Sequence, residues 1–532
     1  MALKRDISTI GLLFTSLSCM IGSGWLFGAF YTAKIAGPAS ILSWLIGGAM
    51  ILVIALVFAE LSAMVPLAGG IARFTQFSHG TWVSFTVTWL SWLSSVAVAP
   101  TEVLAILQYY SKFFPWLINH NNGIDQISNM GLIVAAILMF LVCWFNIKGI
   151  EKLAKYNIAI TSWKLTIPII TIIALVSTKF SISNFSYDGK FMPYGWNSIW
   201  SSLPAAVVFS FLGFREATSL AGETKNPAKS IPIAIAGSVI FCTIMYFIIQ
   251  SVFIGSLNAS MLADGWHKLH FYHDSGPFAG IAMALGISWL GAIIYADSFI
   301  TPAGTGLIYT ATCARLNYAM AKNKYAPESM LKLNSKQVPQ NSVIVNCIIG
   351  MALFLPLPDW EALIRFQTMA IVLSYGVGPV CLLALRNQAP HLQRPFKIPL
   401  PRIMANIALF ICNVLAYWSG WQTMSLLMLA ILLGWILLIS YKKIKKKPCS
   451  AIDLDLIYAL WLIPYLAGII TISWLGNFGG KGLIPHGWDY VLLALFSISS
   501  LKIATTNIQT PEETQGMLAE EALIPFIINK NV

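Results

Sequence analysis

The sequence predicts an all-α membrane protein of about 14 transmembrane helices, the first ten forming two five-helix halves of inverted orientation. Three observations carry that prediction. Of 532 residues, 57% are hydrophobic and only 10% charged, whereas a soluble domain carries about 25% charged residues. The apolar residues fall in blocks of about 20, the length of helix that crosses roughly 30 Å of hydrocarbon. Two of those blocks, five spans apart, are interrupted at their middles by glycine and serine. Unwound backbone at that depth survives only where protein or a cavity surrounds it.

The spans are expected near 8–33, 40–65, 82–112, 129–147, 155–177, 198–222, 231–256, 277–305, 341–357, 361–385, 403–420, 422–441, 456–475 and 487–504. Lys4 and Arg5 ahead of an apolar block suggest a secretory signal, but Ile10 to Ala36 is too long for one and has no A-x-A-like cleavage site. It reads as the first retained span. Residues 1–180 then hold one half (spans 1–5) and 195–387 the other (spans 6–10). Spans 11 and 12 fill 400–442, joined by a tight hairpin at Ser419-Gly420-Trp421, spans 13 and 14 fill 450–504, and 505–532 is a cytoplasmic tail.

Charge tests this division. Alternate loops hold Lys4, Arg5, Arg73, Lys148, Lys152, Lys225, Lys229, Lys322, Lys332, Arg386, Arg394 and the run Lys442 to Lys447, while the opposite loops hold only Lys34, Lys112, Lys179, Lys190, Lys268 and Lys481. Cytoplasmic loops carry the excess of Lys and Arg, so the N-terminus is expected in the cytoplasm and the protein in the inner (plasma) membrane. A missed span would invert the bias downstream, and no inversion occurs. The net charge of +12 therefore reflects topology, with the basic run lying against anionic headgroups, and no nucleic-acid partner is implied.

The first interruption reads Ile21-Gly22-Ser23-Gly24 in span 1, and the second Phe209-Ser210-Phe211-Leu212-Gly213-Phe214-Arg215 in span 6, after Pro204. The resumed helix near Gly24 would point free N–H groups and a positive dipole end at the gap, a seat for a carboxylate. The half-helix ending near Ser210 would offer carbonyls, a seat for an ammonium. Facing across one cavity, the two ends would receive a zwitterion, hence an α-amino acid. Close packing between helices is the other reading of such glycines.

At these residues the chain resembles the amino acid–polyamine–organocation family, which has the leucine-transporter-type fold. The resemblance rests on Ile21-Gly22-Ser23-Gly24, Ala59-Glu60-Leu61, Pro66…Gly69-Gly70, Phe209 to Phe214 and Gly222-Glu223…Asn226-Pro227, with Lys164, and spans residues 5–440. Within the family it is similar to the bacterial aspartate–proton symporter branch, through Gly24-Trp25-Leu26-Phe27, Ala36-Gly37-Pro38 and Ser298…Pro302…Gly304…Gly306. It implies a 5+5 inverted repeat with additional C-terminal helices, and secondary transport of an amino acid with a proton as partner in the bilayer, without a cofactor. Exchange without net proton movement, and a sensor that does not transport, stay open. Family members usually carry an acid where Arg215 stands.

The remaining intramembrane charges each need a partner or a task, since a charge at the bilayer centre costs about 2.5–3.5 kcal/mol on the insertion scale. Lys164, in the apolar run Ser162-Trp163-Lys164-Leu165 of span 5, is expected to carry a proton; the resemblance sets its amine where sodium sits in sodium-coupled relatives. Glu102 in span 3 and Asp297 in span 8 are expected to relay that proton or to balance Lys164 as ion pairs. Arg215 suits a second carboxylate, as on aspartate or glutamate, or pairs with Glu216 or Glu102; Arg365, at the outer end of span 10, would add an attractive field along the access path. His267, His270 and His273 are read as part of a solvated loop, and the eight cysteines, with no C-x-x-C pair, as small buried hydrophobes. No H-E-x-x-H, Walker A or G-x-S-x-G motif supports an enzyme.

Overall fold

A computed structural model describes residues 5–521, apart from 68, 122–123, 149–150, 270, 272–275, 446–449, 451–453 and 486. His270, His273 and the tail beyond residue 521 lie outside these residues.

Hydrocarbon offers backbone groups no partner, so a chain this apolar satisfies them internally as helix. Among the described residues, eleven stretches are long and apolar enough to cross a membrane, and the first of them, Ser23–Met64, joins the second half of span 1 to span 2. The 35-residue helix Ser288–Lys322 and the shorter Thr9–Met20 and Gln340–Ala352 complete the set of spans expected from sequence. Spans 3 and 10 are central, their most apolar windows being 100% and 94% buried, against 28% for span 4. Ile133 and Phe140 of span 4, and Leu429 and Leu433 of span 12, remain exposed, as lipid-facing residues should.

Several boundaries differ from the sequence expectation, each at a glycine or proline. Span 3 begins at Ile71, eleven residues earlier than expected, and bends at Gly80 (φ 76°), so Arg73 lies in a helix and not a loop. Span 8 begins at Ser288; Pro277–Ala284, expected as its start, is a separate short helix set off by Gly286 (φ 76°). A single apolar run hid that corner. Beyond span 14, helix Pro511–Glu520 folds back onto the spans.

Span 1 is broken as expected. Helix Thr9–Met20 stops, Ile21 and Gly22 are non-helical, and Ser23–Ala36 resumes. Span 6 is not open in the expected way. Helix Gly195–Ser202 widens into a π segment, Leu203–Val207, and then tightens into a 3-10 segment, Val208–Phe214, before Arg215–Ser219. Pro204 lacks the N–H that regular winding needs, and the altered pitch brings Gly213 against span 1. A Cβ there would lie 2.5 Å from Met20 N.

Candidate functional site

The two interruptions meet. A Cβ on Gly24 would lie 2.5 Å from Ser210 Oγ, and one on Gly22 would lie 2.6 Å from Glu102 Oε1. Glycine is what permits span 1 to touch spans 3 and 6 at this depth. Side chains from neighbouring spans satisfy the carbonyls freed by the irregular winding. Tyr246 donates to Met20 O (2.8 Å), Tyr375 to Leu212 O (3.2 Å) and Lys164 Nζ to Ser18 O (2.9 Å).

The N–H end of the resumed helix is already occupied. Ser23 N–H donates to Glu102 Oε2 at 3.0 Å, so a side-chain carboxylate sits where the sequence placed a ligand's carboxylate. Glu102 is buried, and its Oε1 has no hydrogen-bond partner among the described residues. Lys164, also buried, lies on the other side of the break and donates to Thr305 Oγ1 at 2.6 Å. Asp297, on span 8, is held by three donors of its own: its carboxylate accepts from Trp25 (3.1 Å), Trp163 (2.8 Å) and Thr301 (2.5 Å).

A cavity lies at the break, with about 340 Å³ of empty space when the open solvent at its mouth is included. Gly22, Glu102, Phe209, Thr305, Gln367 and Arg215 line it. Arg215 donates to Ser95 Oγ (2.6 Å), lies 3.3 Å from Glu216 Oε1 and stands over the Tyr309 ring. The guanidinium is thus both paired and cavity-facing. An aromatic cluster packs beside the break and against Phe209 of the cavity wall. Trp360 stacks on Tyr31 (5.2 Å between ring centres), meets Phe27 and Phe209 edge-on or tilted, and donates to Ser23 Oγ (3.1 Å). Arg365 is not brought to this cavity; it is held by Glu361 one turn away, 2.5 Å distant.

The profile described as amino acid permease matches residues 7–437. The chain belongs to the amino acid permease family. It is a multi-pass membrane protein of a transporter family and not an enzyme. It is similar to the glutamate/serine transporter AimA of Bacillus subtilis (37% identity over 93% of this chain and 92% of that protein) and to the aspartate-proton symporter of the same organism (33%, over 93% and 95%). A more distant relative is the branched-chain amino acid permease BcaP (23%, over 83% and 94%).

In this permease, sequence reasoning located both breaks, Lys164, Glu102 and Arg215, which the fold brings to one place. It missed Trp360, Gln367 and Tyr246. Each is an ordinary residue of an apolar helix, and only the crossing of spans 7 and 10 over the breaks gives it a role. Thr305 was bracketed by Gly304 and Gly306, small residues that let span 8 approach Lys164 and Glu102, but nothing in the sequence singled out its hydroxyl.

Proposed function

We propose that this permease is a proton-coupled symporter of acidic amino acids, with its N-terminus in the cytoplasm and the cavity opening inward. The observation that carries this reading is the Glu102 carboxylate on the Ser23 N–H. A substrate carboxylate and Glu102 compete for one helix end. A proton on Glu102 removes the negative charge that the positive helix end holds, and so frees the seat. Substrate binding and proton binding are then favoured together, which is the condition for symport. Lys164, across the break and bonded to spans 1 and 8, exchanges that proton and senses whether the break is filled.

Arg215 lies on the same cavity and offers a planar fork to a second carboxylate. Aspartate or glutamate would take its hydrogen bonds in place of Ser95 and Glu216. The names of two relatives include glutamate and aspartate, which supports this substrate class. One name also includes serine, and Arg215 already has an internal partner, so small neutral amino acids are the second reading.

The test is uptake into proteoliposomes under an imposed pH gradient, acid outside. Labelled aspartate and glutamate are expected to accumulate. Lys164→Met should abolish accumulation while leaving exchange across the membrane. Arg215→Gln should weaken competition by aspartate and glutamate about tenfold or more, the worth of a charge-assisted hydrogen bond, and weaken serine or alanine far less. Accumulation that ignores the pH gradient overturns the coupling; neutral amino acids competing best in the wild type overturn the acidic substrate.

A further inference from the structure

We propose that the chain beyond span 12 is a strap: spans 13 and 14 and the helix Pro511–Glu520 hold the bend of span 3, and while that helix is docked they slow transport. The inference needs only that the chain is a transporter, and goes beyond the choice of substrate and coupling ion.

At Gly80 (φ 76°, ψ −160°) span 3 leaves helical geometry. Ser84 Oγ turns back there to Ala72 O (3.0 Å), whereas a straight helix would part residues twelve positions apart by about 18 Å. Such a bend breaks the backbone rungs that cross it, among them Thr81 N–H to Phe77 O and Trp82 N–H to Ser78 O, and buried backbone groups then need other partners. All four of these groups find them beyond residue 450. Thr81 N–H donates to Asp455 Oδ2 (2.8 Å) and Trp82 N–H to Leu454 O (3.1 Å), both just ahead of span 13. Phe77 O accepts from Thr514 Oγ1 (2.9 Å) and Ser78 O from Gln509 N–H (3.0 Å), both after span 14. The fit under the bend is close, since a Cβ on Gly80 would lie 2.4 Å from Asp455 Oδ2. Span 3 is thus spliced by a part of the chain that, among the described residues, adds nothing to the cavity lining.

The splice reaches span 6. The arm of span 3 ahead of the bend, 71–79, begins after Gly70, whose Cβ would lie 2.9 Å from Thr218 Oγ1. Thr218 belongs to Arg215–Ser219, the piece of span 6 beyond its altered winding, and Arg215 of that piece lines the cavity. Gln388, the last residue of span 10, ties the same parts, its Nε2 donating to Ser78 O (3.0 Å) and Gln509 O (2.8 Å). Conformational changes are absorbed at a few hinge residues, and a glycine bend is one. Holding it restrains the arm and, through Gly70, the end of span 6. The strap helix is itself held lightly. Of its ten residues only Thr514 and Leu518 are buried, and elements with few buried apolar contacts open locally at low cost. Docked and undocked straps are then two states, and turnover follows their balance.

The test uses the full chain in proteoliposomes and reads counterflow of whichever amino acid the wild type carries, with no pH gradient imposed. Thr510→Ala removes the helix cap, and Thr514→Val keeps the shape but gives Phe77 O no donor. Together they should lower amide protection across 71–83 and raise turnover about 3–10-fold, the worth of a neutral hydrogen bond. Asp455→Gly, which suits the left-handed φ of 53° at that position and removes the acceptor of Thr81 N–H, should act in the same direction. Conversely, Arg73→Cys/Glu521→Cys, joined by a short reducible bis-methanethiosulfonate linker, should turn over more slowly than the wild type treated alike, and a reductant should restore the rate. Because that change reverses within one sample, it decides the matter even where the other variants fold poorly. Turnover unchanged or lowered in the undocked variants, or a linked pair as fast as the wild type, overturns the strap. Loss of proton coupling or of acidic substrates fails the proposed function instead and leaves the counterflow rates readable.

Discussion

Gly24 leaves no room for a side chain, because Ser210 Oγ stands 2.5 Å from where a Cβ would be. Gly22 and Gly213 are as tightly bound, against Glu102 and the span 1 backbone. The contact under Gly24 is a small hydroxyl on a 3-10 turn, which has some freedom to move. Gly24→Val is therefore expected to insert and fold, while the span 1 and span 6 breaks are wedged apart and uptake is abolished. Size-exclusion profile and substrate-induced thermal shift check both halves of this statement; a normal uptake rate would refute the site. The glycines themselves were legible in the sequence, since glycine in mid-span asks for a reason. Their neighbours were not. That Glu102, some 80 positions on, fills the helix end beside Gly22 follows from how span 3 crosses span 1. Likewise, both readings of Arg215, cavity residue and partner of Glu216, hold at once in the fold.

At the scale of elements, the interruptions differ in kind although the sequence presented them as a matched pair. Span 1 is cut at two residues, whereas span 6 changes pitch through π and 3-10 turns without a gap. Pro204 and the glycine were visible; which irregular winding they produce depends on what presses against them. The C-terminal helix Pro511–Glu520 is a second element that composition hid, its length being too short to form a domain. It starts with a capping box, in which Thr510 Oγ accepts from Glu513 N–H and Glu513 accepts from Thr510 N–H (3.0 Å). It docks through Thr514 on Phe77 O (2.9 Å), Gln509 N–H on Ser78 O (3.0 Å), Tyr458 on Glu513 (2.9 Å) and an ion pair from Arg73 to Glu521. The donated N–H of Thr510 holds the Glu513 carboxyl below the usual glutamate range. A depressed value means the contribution is full above the ordinary glutamate value and is lost as pH falls through the lowered one. Amide protection factors across 511–520, each referred to the intrinsic exchange rate at that pH, should accordingly fall in acid, and Glu513→Ala should show the same loss of protection at neutral pH. Protection unchanged by both would show that the docked face alone holds the helix.

Across the whole molecule, polar ties join spans far apart in sequence. Glu60 of span 2, fully buried, accepts two hydrogen bonds from Arg386 at the end of span 10 (2.9 and 2.8 Å) and a third from Ile398 N–H (2.8 Å). Ile7 pairs with Thr224, linking the start of span 1 to the end of span 6, so the two broken spans are tied outside the cavity as well. Glu60→Gln keeps the shape and removes the charge. The expected cost is about 1.5–3 kcal/mol, the worth of a hydrogen bond to a charged group, because Arg386 is partly exposed and recovers some solvation. A lowered melting temperature in detergent, with uptake per folded molecule retained, checks it; an unchanged melting temperature refutes the tie.

The sequence by itself determined that the chain spans the membrane many times, how its loops are charged, and where two of its helices fail. Those are local properties: hydrocarbon demands about 20 apolar residues per span, and glycine and proline act on their own turns. Tertiary structure alone decided what faces those failures. Glu102 on the Ser23 N–H, Trp360 on Ser23 Oγ and the corner before Ser288 all depend on contacts between spans. Helices in lipid associate through packing and scattered polar contacts, and an apolar pattern that satisfies the bilayer on every side does not say which face meets which neighbour.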